Sequence, residues 1–156
     1  MNELARALVI GALSGSRTML GPALVARERL PAPVAHLLAT MAAGELLADK
    51  SARIGNRTDP LPLVARVAMG AFAAAGQART RHRLPGAVVG AAAALVAAHG
   101  CFYLRRLATT RLGVPNVVAG LLEDAVALGA AATMLRGGPA RTTIADQLTP
   151  TEKLSS

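Results

Sequence analysis

Apolar runs of roughly membrane-spanning length, separated by short connections rich in arginine and proline, set the pattern of this chain. About 20 predominantly apolar residues carry a helix across a bilayer. The first run, Leu4 to Ala26, is interrupted by Ser14-Gly15-Ser16-Arg17-Thr18 and by Gly21-Pro22. Hydroxylic residues, glycine and proline permit a break, and a break survives at membrane depth where it is buried in protein. This run predicts either a kinked span or two half-helices, ended by Arg27-Glu28-Arg29 and Pro31. A second run from Pro33 to Asp49 is barely long enough to cross, and Lys50 to Arg57 reads as a polar, basic loop. Thr58-Asp59-Pro60 then predicts a helix start, an N-cap acceptor followed by proline at the first helical position. That third run carries Arg66, continues to roughly Ala78, and is closed by Arg79-Thr80-Arg81-His82-Arg83. Pro85 to Leu104 is the cleanest run, uncharged apart from the titratable His99, and Arg105-Arg106 ends it. Pro115 opens the fifth, which reaches Leu135 before Arg136.

The pattern predicts an all-α fold: a polytopic transmembrane bundle of four to five spans over residues 1–136, its first segment broken or re-entrant. Glycine, proline, threonine and alternating charge from Gly137 onward predict a disordered polar tail over 137–156. A longer echo runs through the bundle. Gly11-x-x-x-Gly15, Arg27/Arg29, Pro33 and Glu45 are followed in order by Gly86-x-x-x-Gly90, Arg105/Arg106, Pro115 and Glu123-Asp124. One intervening span would give the halves opposite orientation, as in inverted-repeat transporters. Chance recurrence of common punctuation residues accounts for the same order. Both glycine pairs are small-x-x-x-small faces, suited to close helix approach or to a homo-oligomer through Gly11/Gly15 or Gly86/Gly90.

Composition strengthens the membrane reading. Apolar residues make up 53% of the chain and charged residues 17%, and the mean hydropathy is positive. Phe72, Phe102 and Tyr103 are the only aromatics, which departs from the usual interfacial belts. The formal charge of +8 suggests nucleic acid at first sight, but the arginines are split among short connections and little is available for base stacking. Anionic lipid headgroups fit better, and capping of spans by arginine explains the same distribution. With five spans the Lys and Arg residues divide almost evenly between the two sides, so they set no orientation; a re-entrant first segment tilts the balance modestly. Cys101 stands alone, which excludes a disulfide within the chain and a cysteine-based zinc site. Met1 to Ala12 lacks the n-region charge and cleavage site of a signal peptide and reads as an uncleaved first span.

Candidate chemistry lies in the charges that fall inside the apolar runs, where each needs a partner or a purpose. Helical spacing puts Glu45 and Asp49 on one face. Asp49 with Lys50 also suits a water interface, while Glu45 lies a turn deeper. Glu123 and Asp124 sit midway along the fifth run and, as helical neighbours, point about 100° apart. One is expected to face the protein interior and the other a polar cavity, or one carries a proton. Arg17 and Arg66 are the natural counter-charges. At a helix break, freed backbone N–H groups would join Arg17 in holding an anion. The candidate substrate- or ion-binding residues are therefore Arg17, Glu45, Asp49, Arg66, Glu123 and Asp124, and the same charges equally make structural ion pairs.

Enzyme motifs are not found. Gly11-Ala12-Leu13-Ser14-Gly15 lacks the glycine two before serine that a nucleophile elbow carries. Neither a phosphate loop nor a dinucleotide-binding glycine turn occurs. His36, His82 and His99 have no metal-ligand spacing, so neither metal nor cofactor is expected. Asp49-Lys50-Ser51-Ala52-Arg53 faintly resembles the membrane CDP-alcohol phosphotransferase signature, without its following glycine or its later aspartate pair. A lipid-modifying enzyme thus ranks behind the two other readings.

Ser14-Gly15-Ser16-Arg17-Thr18 with Gly21-Pro22, Glu45-Leu46-Leu47-Ala48-Asp49-Lys50, Arg57-Thr58-Asp59-Pro60, Arg66, Gly70 and Leu122-Glu123-Asp124-Ala125 carry a resemblance by their order and spacing. The chain resembles a family of small bacterial integral membrane proteins catalogued only as a domain of unknown function. The resemblance covers nearly everything before the tail. It implies a multi-pass helical protein of the bacterial cytoplasmic membrane and implies no activity. Two expectations follow: Glu45, Glu123 and Asp124 gather against Arg17 and Arg66 to move a small solute, ion or lipid headgroup, or the charges are structural pairs in a non-catalytic scaffold.

Overall fold

Asn2 starts the first helix: its side chain accepts a hydrogen bond from the Ala5 N–H at 2.8 Å, and Glu3 follows where the helix dipole favours an acid. The computed structural model describes residues 2–48 and 60–136. Within them the elements are α1 (Glu3–Ser16), α2 (Leu20–Arg29), α3 (Ala32–Ala48), α4 (Pro60–Gln77), a 3-10 turn (Thr80–His82), α5 (Arg83–Arg111) and α6 (Asn116–Arg136), with no strand among the described residues. The Thr58-Asp59 cap and the tail from Gly137 lie outside the described residues. Pro22, Pro33, Pro60, Pro62 and Pro85 all fall in first turns, where a missing N–H forfeits no helical bond.

Two boundaries differ from the sequence reading. The first run breaks at Arg17–Met19, and Gly21-Pro22 belong to the opening turn of α2. Arg105-Arg106 do not end their helix, which continues to Arg111. Arginine, leucine and alanine are strong helix formers, and Arg105 finds partners on α6, so its charge does not require an end. The stop comes at Gly113, whose φ of +66° is readily adopted only by glycine.

The break folds the first run into a hairpin. Arg6 near the start of α1 pairs with Glu28 near the end of α2, and Gly21 lies against Ser14 without room for a side chain. Helix α4 runs antiparallel to α1, and α5 runs alongside α1 in the same direction. These three cross closely through the glycines singled out from sequence: a Cβ on Gly11 would stand 2.7 Å from the Gly90 Cα, and one on Gly90 would stand 2.5 Å from the Gly70 carbonyl oxygen. The Gly11/Gly15 face therefore lies on the α5 backbone at Gly90 and Ala94, and the Gly86/Gly90 face lies on α4 at Gly70, Ala74 and Ala78. Helix α3 packs mainly on α2, and α6 lies more loosely across α1, α2 and α5.

Residue sizes are distributed inside out relative to a water-soluble core. The buried positions are largely small, among them Ala7, Ala73, Ala74, Ala94, Ala98 and Ala127, with Ile10, Leu13 and Leu24 the main exceptions. Large apolar side chains stand outside, including Leu8, Leu61, Phe72, Leu84, Val96 and Val126. Two helices, Arg83–Arg111 and Asn116–Arg136, are long and apolar enough to cross a membrane; the former extends for roughly 43 Å at 1.5 Å per residue.

Candidate functional site

A helix break leaves carbonyls at one end and N–H groups at the other without helical partners. Here both sets are met by charged side chains from other elements. Arg66 of α4 donates through Nη1 to the Gly15 and Ser16 carbonyls at 3.0 and 2.8 Å, closing the end of α1. Glu45 of α3 accepts from the Thr18 and Met19 N–H groups at 2.8 Å each, closing the start of α2. The two caps face one another, with Arg66 Nη2 3.8 Å from Glu45 Oε1. The backbone turn itself is held by the Arg17 N–H on the Leu13 carbonyl at 2.8 Å and the Leu20 N–H on the Arg17 carbonyl at 3.1 Å.

The Arg17 side chain leaves the turn toward α6. Its Nε donates to Asp124 Oδ1 at 2.9 Å, and its Nη2 contacts the same oxygen. Arg17 is 2% exposed and Asp124 and Arg66 6% each, so these charges are essentially removed from solvent. Two arginines and two carboxylates leave the cluster formally neutral. Burying such groups is tolerable because each has both a counter-charge and directed hydrogen bonds.

Four of the six candidate residues therefore converge: Arg17, Glu45, Arg66 and Asp124. Glu123 does not join them. One helical step from Asp124, it turns toward Arg105 of α5, whose Nη1 lies 4.0 Å from Glu123 Oε2. Asp49 lies outside the described residues. The divergence of Glu123 and Asp124 follows helix geometry, with Asp124 inside and Glu123 beside a cavity. That cavity, of about 650 Å³ between α1, α5 and α6, is lined mostly by apolar side chains rather than polar ones. The backbone N–H groups at the break do hold an anion, but it is the chain's own Glu45 carboxylate.

Arg105 is a partner that the sequence reading passed over. It anchors on Asn116 Oδ1 at 2.7 Å, beside Glu123. Arg105 and Glu123 are equidistant from Val114 in the loop between α5 and α6, so folding that loop as an antiparallel turn would have found the pair. The same symmetry about Arg17 relates Arg6 and Glu28. Glu28 accepts from Arg6 Nη2 at 2.8 and 3.0 Å and from Gln77 Nε2 at 2.7 Å, while Arg29 Nε donates to Gln77 Oε1 at 3.1 Å. This network and the Arg79–Glu3 pair at 3.1 Å tie α1, α2 and α4 at one end of the bundle.

A larger cavity of about 1050 Å³ lies between α2, α3 and α6, its lining running from Arg29, Ala32 and Leu135 at that end to Leu20 and Leu46 near the break. The smaller one runs from Leu8 and Val9 on α1 to Leu112 and Val114 at the other end. Helix α6 lines both, with Leu128, Ala131 and Leu135 toward the larger and Ala119, Glu123 and Val126 toward the smaller. Asp124, bound to Arg17 at the hairpin tip, lines neither. Among the described residues no three His, Cys, Asp or Glu side chains converge as a metal site.

A family model described as a domain of unknown function (DUF4126) matches residues 1–137. No curated protein and no solved structure matches the chain.

Proposed function

The chain belongs to the DUF4126 family of unknown function, and from that premise we propose that it is a multi-pass protein of the bacterial cytoplasmic membrane that moves a lipid headgroup across the bilayer. In this reading α3 to α6 span the membrane and the α1–α2 hairpin re-enters from the face bearing Arg6, Arg27, Arg29 and Arg79. Large apolar side chains turned outward and small or charged residues turned inward support the membrane placement. The basic residues at the hairpin's open end favour placing that face in the cytoplasm.

The observation that carries the functional reading is the buried Arg17–Asp124 pair at the hairpin tip, with cavities on opposite faces of α6 whose linings reach opposite ends of the bundle. A broken helix at the bilayer midplane is where membrane carriers place their sites. The apolar lining disfavours a fully hydrated ion and favours a solute that keeps its chains in lipid while its headgroup passes through protein. Residues Arg105 and Glu123 would receive that headgroup in the smaller cavity.

The test is a leaflet-exchange assay. Vesicles carrying the full chain and a fluorescent phospholipid are treated with dithionite, which quenches the outer leaflet only. Faster loss of the protected signal than in protein-free vesicles is expected. Ala108→Trp, at a partly exposed position lining the smaller cavity, should abolish the gain with little change in the thermal midpoint. Exchange no faster than in empty vesicles would sink the reading.

One observation favours a second reading. Glu45 and Arg66 bind the backbone groups of the break itself, which is what a structural lock requires. A non-catalytic scaffold would then give folded, stable protein and no exchange.

A further inference from the structure

The charged side chains lining the larger cavity are not equivalent. Glu28 is held by Arg6 and Gln77, and Arg29 by Gln77. Arg27 lines the same mouth and makes no hydrogen bond or ion pair among the described residues. His36, across the mouth on α3, is exposed, and its imidazole also has no partner there. Below them the walls are apolar: Leu20, Leu24, Ala39, Ala42, Leu128 and Ala131. The cavity is thus an apolar trough beneath a rim on which the Arg27 guanidinium has no partner among the described residues, at the same end as the other arginine pairs. Its volume of about 1050 Å³ lies just above the usual small-molecule range, roughly 300–1,000 Å³.

From this combination we infer that the trough between α2, α3 and α6 is a binding site for an acidic phospholipid. The acyl chains lie on the alanine face of α3 and on α6, and the phosphate is held by Arg27 with His36 beside it. A phosphate oxygen accepts from the Arg27 guanidinium in the charge-assisted geometry that arginine favours. Glu28 does not oppose this, because its carboxylate is occupied by Arg6 and Gln77. A zwitterionic headgroup carries no net charge to complement the rim, so the site distinguishes acidic from neutral lipid. The inference rests on the membrane placement proposed above and names the lipid class that the larger cavity would take.

The experiment titrates the full chain, in nonionic detergent micelles, with a fluorescent phosphatidylglycerol, with phosphatidylcholine and inorganic phosphate as competitors. Phosphatidylglycerol should bind in preference to phosphatidylcholine, and inorganic phosphate should not displace it. Arg27→Gln should weaken binding about fivefold, the effect of one basic side chain near a lipid surface. Arg27→Lys should retain most of the affinity. Ala39→Trp, which fills the trough without changing charge, should weaken binding comparably. Arg83→Gln, at the same end of the bundle but outside the trough, should leave it unchanged. Equal retention of the two lipids, displacement by inorganic phosphate, or equal losses in Arg27→Gln and Arg83→Gln would overturn the site. Binding without leaflet exchange would sink carriage alone, and a chain that stays in aqueous solution without detergent would sink both.

Discussion

Arg17 and Asp124 are each intelligible only through the other. Either one alone would be an uncompensated charge in a nearly solvent-free interior. Asp124→Asn should therefore destabilise the protein by about 3–5 kcal/mol, read as a lowered thermal midpoint in detergent. Replacing both, as Arg17→Met with Asp124→Leu, should bring the midpoint back close to wild type, since paired burial of charge contributes little net stability. Glu45→Gln should be milder, about 1–3 kcal/mol. An amide oxygen still accepts from one of the two N–H groups, but the second loses its acceptor and Arg66 loses its counter-charge. If the double variant fell as far as Asp124→Asn, the pair would not be the source of the penalty. At this scale the sequence is informative about which charges lie among the packed helices, because charge inside apolar runs stands out. Pairing was less legible. Separating Glu123 from Asp124 followed from helix geometry, whereas assigning Arg105 to Glu123 required knowing that α5 continues past its arginines.

Close helix approach governs the element scale, with α1, α4 and α5 meeting through glycine. Gly90→Ala should destabilise by roughly 1–3 kcal/mol, because its Cβ would meet the Gly70 carbonyl, a backbone atom that moves only with its helix. Gly129→Ala is the control: nothing lies within 4 Å of its Cβ position, so it should be neutral or stabilising by up to about 1 kcal/mol. Equal midpoint shifts for the two would show that the crossing is looser than described. The helices were largely legible from apolar runs and from prolines in first turns. The hairpin is one of two outcomes the sequence allows, since a break permits a kink or a reversal equally. What decides it is tertiary: Arg6 with Glu28, Ser14 against Gly21, and the caps supplied by Glu45 and Arg66.

For the whole molecule, the hairpin changes the arithmetic of sides. A continuous first span would put the N-terminus opposite the end of α2, whereas the fold brings Glu3, Arg6, Glu28 and Gln77 to one end. The lining of the larger cavity reaches that end and the lining of the smaller one reaches the other, on opposite faces of α6. Composition alone did not reveal this, because cavities form from the gaps between loosely packed helices rather than from any run of residues. The most direct measurement is sided labelling with a membrane-impermeant maleimide, in right-side-out and inverted vesicles, on a Cys101→Ser background. Single cysteines are placed before Met1, at Ala35 in the larger cavity and at Ala119 in the smaller. The N-terminal and Ala35→Cys thiols should label from the cytoplasmic face only, and Ala119→Cys from the opposite face only. Labelling of the N-terminal and Ala35→Cys thiols from different faces, or of Ala35→Cys and Ala119→Cys from the same face, would contradict a re-entrant hairpin with one cavity accessible from each face.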